Sequence, residues 1–125
     1  MMYHSEIYRA RSLHRQIKEL LRLQERGQAT ERTLHDIKRL CDDAVRTITD
    51  PQYQEKVCEV ERHADELFSV DKPSRWARGT QPGVMLMRRL VLRSLDALDE
   101  RLKSIESLQR ASGSTLGAGA MVRYP

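Results

Sequence analysis

The chain has 125 residues, of which 39% are hydrophobic and 32% charged, with a formal net charge of +4. That is one domain's worth of polypeptide, and too apolar for a disordered chain. With 5% aromatic residues, six Gly and four Pro, it lacks the aromatic strands and frequent turns of a β-sandwich or barrel.

Apolar spacing predicts four helices. In the first, Ile7, Ala10, Leu13, Ile17, Leu20, Leu21 and Gln24 recur at three- and four-residue steps, and Gly27 supplies a stop. The second starts from Thr30 as N-cap and carries Leu34, Ile37, Cys41, Ala44, Val45 and Ile48 on its stripe. Asp50-Pro51 restarts the chain: Asp caps, and Pro in the first helical position loses no needed hydrogen bond. The third helix then buries Tyr53, Val57, Val60, Ala64, Leu67 and Phe68 and ends near Ser69, ahead of Pro73. A linker containing Pro73, Gly79, Pro82 and Gly83 surrounds Trp76. The fourth and longest helix runs to about Arg110 on Val84, Met87, Val91, Leu95, Leu98, Leu102, Ile105 and Leu108. Short connections after the first two helices favour antiparallel neighbours. The expected fold is all-α, an up-down antiparallel four-helix bundle over residues 1–110, with a Ser/Gly-rich flexible tail at 111–125.

No apolar run approaches the roughly 18 residues of a membrane span, so a membrane partner is not expected. The N-terminal residues lack the apolar stretch of a secretion signal. Two cysteines without CxxC spacing read as reduced thiols, and the expected location is the cytoplasm.

The net charge hides a strong asymmetry. Residues 50–71 hold seven acidic and two basic side chains, whereas 72–95 hold Lys72, Arg75, Arg78, Arg88, Arg89 and Arg93 and no acidic one. The stretch 84–92 is also apolar nearly all round, so one bundle core cannot bury it all. Met85 and Leu92 fall off the main stripe. The partner-binding surface is therefore expected at Arg75, Trp76, Arg78, Met85, Arg88, Arg89, Leu92 and Arg93. Trp76 would be the anchor and the arginines would steer an acidic partner. The same surface would serve a homodimer.

A second candidate is the row Arg11, Arg15, Lys18, Arg22 and Arg26, at i+3/i+4 steps along the first helix. Such a row can follow phosphates, and the alternative function is nucleic-acid binding through it and the linker arginines. Its simplest intramolecular outlet is the acidic third helix, at Glu55, Glu59, Asp65 and Glu66. The stretch 29–40 resembles the recognition helix of helix-turn-helix regulators, which implies DNA binding. The positioning helix and sharp turn of that family are missing, so no residue roles carry over.

Chemistry-bearing residues do not assemble into a catalytic or metal motif. His4, His14, His35 and His63 are scattered, no Glu-x-x-His pair or CxxCH occurs, and Cys41 falls on an apolar stripe. No cofactor, metal or catalytic residue is expected. The function read from the sequence is that of a non-catalytic helical interaction module, an adaptor, chaperone-like factor or regulatory subunit that docks through 72–95.

Overall fold

The computed structural model describes the backbone of residues 2–70 and 82–119, and the side chains of 5–69 and 83–111. It contains four helices, α1 (Met2–Glu25), α2 (Glu31–Thr47), α3 (Pro51–Val70) and α4 (Pro82–Gly119). Each packs on the next and α4 closes back on α1, while the backbones of the diagonal pairs stay apart and α1 meets α3 across the core through side chains, His14 against Tyr53. This is the ring of an up-down four-helix bundle.

The helix ends follow local chemistry. Gly27 adopts a φ of 72°, the left-handed region that a side chain disfavours. The Gln28 N–H then reaches Leu23 O at 2.8 Å and the Gly27 N–H reaches Gln24 O at 3.0 Å, which is a Schellman stop. At the start of α2, the Thr30 N–H donates to Thr33 Oγ1 at 2.9 Å. Asp50 caps α3, its Oδ2 accepting the Tyr53 N–H at 2.8 Å. The same carboxylate takes a fork from Arg101 of α4, Nε at 2.8 Å and Nη2 at 2.7 Å, so one side chain both starts α3 and ties it to α4. Gln54 Nε2 closes the α2–α3 corner on the carbonyls of Val45 and Ile48, which α2 itself leaves open at its end.

The core collects the expected stripes: Ile17, Ile37, Val57, Leu67, Leu95, Leu98 and their neighbours are buried. Two features of α4 differ from expectation. Leu108 is exposed and Gln109 half-buried in its place, because two successive three-residue steps, Leu102 to Ile105 to Leu108, swing the side chain about 120° off the stripe. The helix also continues nine residues past Arg110, to Gly119, into the expected flexible tail. Once a helix is nucleated each further residue adds a hydrogen bond, so a Ser/Gly composition alone does not stop it. The rest of the tail, 120–125, lies outside the described residues.

Burial separates the two thiols. Cys41 is enclosed in the core, and that burial, with nearby negative charge on Glu61 and Asp42, pushes its thiol up to about 12. Cys58 is exposed. A thiol-reactive chromophore added to the native protein is expected to titrate Cys58 alone, with Cys41 reacting only after unfolding. Two fast thiols under native conditions would mean that α2 opens readily.

Candidate functional site

Two surfaces meet along the seam between α1 and α4. The seam is antiparallel. Arg11 pairs with Glu106 at 2.5 Å, Lys18 with Asp99 at 3.2 Å, and Arg88 Nε donates to Gln24 Oε1 at 2.7 Å.

On α4, Met85, Leu86 and Leu92 are 43%, 56% and 37% exposed, and Arg89 and Arg93 are exposed beside them. At 100° per residue these five side chains span an arc of about 120°, opposite the core-facing line of Val84, Val91 and Leu95. Neither Arg89 nor Arg93 pairs with a carboxylate among the described residues. Leu86 was missing from the sequence-derived set, although its place next to Met85 in the all-apolar stretch marked it.

Arg88 belongs elsewhere. It is 9% exposed and turned inward onto Gln24, itself fully buried. The signal was its spacing, four residues after Val84 and three before Val91, which sets it on the flank of the core stripe. Its long aliphatic stem packs while the guanidinium finds an acceptor. Arg75, Trp76 and Arg78 lie outside the described residues.

The basic row of α1 does not face the acidic helix. α1 and α3 are diagonal in the ring, so Arg11 and Lys18 turn to α4, Arg22 pairs with Glu19 at 3.0 Å on its own helix, and Asp65 of α3 takes Lys38 of α2. Arg15 and Arg26 remain without a carboxylate partner among the described residues. Arg11, Arg15 and Lys18, with Lys103 from α4, line a cleft of about 270 Å³ whose floor is His14 and Asp99.

Beneath that cleft runs a buried polar chain that the sequence reading passed over. His14 is 2% exposed. Its Nδ1 lies 2.6 Å from Asp99 Oδ1 and its Nε2 lies 2.8 Å from the Tyr53 hydroxyl. Burial pushes the Tyr53 hydroxyl up, so it keeps its proton, and against a neutral imidazole it donates to Nε2. A carboxylate accepts only, so Nδ1–H donates to Asp99. This tautomer satisfies every group. Burial works to raise the Asp99 carboxyl, but the hydrogen bonds from His14 and Lys18 more than offset it and hold it below the usual carboxylate range. The signal was present: His14 stands seven residues from both Ile7 and Leu21, inside the α1 stripe. On the far side of α4, His63 Nδ1–H donates to Ser94 Oγ at 2.6 Å, which donates on to Leu90 O at 3.0 Å.

The order carboxylate–imidazole–hydroxyl is that of an acid–base relay, but Tyr53 is fully enclosed and no substrate reaches its oxygen. No grouping of three or more metal-ligating side chains occurs among the described residues, and no helix among them is long and apolar enough to cross a membrane. Compared with known protein families, curated proteins and solved structures, the chain matches none.

Proposed function

We propose that this protein is a non-catalytic docking module of the cytoplasm, whose α4 arc receives an acidic, amphipathic helix of a partner protein. The observation that carries the reading is the coincidence, on one side of one helix, of exposed Met85, Leu86 and Leu92 with Arg89 and Arg93, which pair with no carboxylate among the described residues. Apolar anchors supply affinity, and unpaired guanidinium groups select a partner of opposite charge and speed the encounter. The two free cysteines accord with a reducing compartment.

Nucleic-acid binding ranks second because the α1 row is broken. Arg22 is drawn onto Glu19 of its own helix, leaving Arg26 roughly 12 Å beyond Lys18 along the helix.

The discriminating experiment is co-purification from nuclease-treated lysate with the parent chain and with Met85→Ser/Leu92→Ser. Both positions are surface-exposed, so the double variant should unfold within about 1 kcal/mol of the parent. It is expected to lose a nuclease-resistant acidic protein. Light scattering on the purified chain separates that partner from a second copy. Unchanged capture by the double variant, or a catch that nuclease removes, overturns the reading.

A further inference from the structure

We infer that the cleft between α1 and α4 is a binding site for a compact, multivalent oxyanion of the diphosphate class. Four cationic side chains from two helices, Arg11, Arg15, Lys18 and Lys103, converge on it against one lining carboxylate, Asp99. That carboxylate is already committed: His14 holds one oxygen and Lys18 the other. Glu106 likewise holds Arg11 from outside the lining, at 2.5 Å. Arg15 has no carboxylate partner among the described residues, and Lys103 reaches only a distant Glu100, at 3.6 Å and with both side chains mostly in solvent.

The arrangement is thus two guanidinium or ammonium groups fixed in place by acidic neighbours, and two left to close on a ligand. Planar guanidinium groups meet phosphate oxygens through paired hydrogen bonds, and ammonium groups add charge without directional demand. The volume of about 270 Å³ falls below the roughly 300–1,000 Å³ of sites for drug-sized ligands. It suits a small inorganic or terminal diphosphate rather than a whole nucleotide. A nucleic-acid backbone would need the track to continue through Arg22, which Glu19 occupies.

The site also touches the core. Lys18 shares Asp99 with His14, so an anion that draws the ammonium toward itself changes the field at the imidazole.

The test is titration of inorganic pyrophosphate into the full chain, read by calorimetry and by the His14 ring resonances. One saturable site is expected, with those resonances shifting in step. Arg15→Ala and Lys103→Ala are each expected to weaken binding about tenfold, the loss of one or two charge-assisted hydrogen bonds. Both side chains are exposed, so neither change threatens the fold. Arg26→Ala removes the same unit of charge outside the cleft and is expected to leave binding unchanged. Absence of saturation overturns the inference, as does an equal loss in Arg26→Ala, which would show attraction by net charge alone. A single-stranded oligonucleotide that binds more tightly than pyrophosphate, and depends on Arg22 and Arg26, would replace the small ligand with a phosphate backbone.

Discussion

His14→Ala is expected to lower the unfolding free energy by about 3–5 kcal/mol, the largest effect of any single polar substitution in this chain. Two losses combine. Removing an imidazole that is 2% exposed leaves a void that a packed bundle only partly fills. It also strands the Tyr53 hydroxyl, whose partner at 2.8 Å is gone, in the enclosed core. For a domain of this size such a change removes a large share of total stability. Tyr53→Phe alone should cost about 1–2 kcal/mol. Adding it to His14→Ala should cost little more, because the stranded hydroxyl leaves with it. Chemical denaturation of the three variants measures the coupling. A cost for His14→Ala below about 1 kcal/mol would mean that the Asp99–His14–Tyr53 chain is not assembled in solution.

The second large effect belongs to Asp50. Asp50→Ala removes the cap of α3 and leaves the Arg101 fork without its carboxylate. The loss is expected at about 2–3 kcal/mol, roughly 1 from the cap and the rest from the charge-assisted bonds. The same carboxylate gives a pH signature. The Arg101 bonds hold Asp50 below the ordinary carboxylate range, against a smaller opposing effect of burial, and the Tyr53 N–H adds to them. Asp99 is lowered as well. A group whose folded value is lowered stabilises fully above its unfolded value near about 4, and that contribution is lost as pH falls through the folded value. The unfolding midpoint should therefore hold steady from neutrality to about pH 5 and fall below about pH 4. Asp50→Asn should shrink that acid limb. An identical limb in parent and variant would assign the acid sensitivity to other carboxylates.

The bundle was legible because its information is periodic. A stripe of Ile17, Leu21 and Ala10 reads directly as a buried face, and Gly27, Thr30 and Asp50 mark chain reversals whose hydrogen bonds the structure then shows. Polar residues on the same stripes were harder. Arg88 was assigned to the surface by its type and His14 drew no assignment beyond the scatter of the histidines, while their spacing set His14 inside the core stripe and Arg88 on its flank. Spacing decided the outcome, because each found a partner on a helix distant in sequence: Asp99, Tyr53 and Gln24. Those partners are visible only after the ring closes. The same holds for the α1–α4 cleft. The row Arg11, Arg15 and Lys18 was apparent in the sequence, but Lys103 and the Asp99 floor come from a helix some eighty residues later.

The flank pairs of α1 have a consequence for chirality. Four helices with matching greasy stripes can wind round a common axis in either direction, and oil-like contacts hardly distinguish the two windings. Reversing the direction would turn the Arg11 and Lys18 side of α1 toward α2, away from Glu106 and Asp99. Each of these half-buried contacts contributes only modest free energy. Their combined role is to make the mirror winding the poorer choice, so that one handedness prevails.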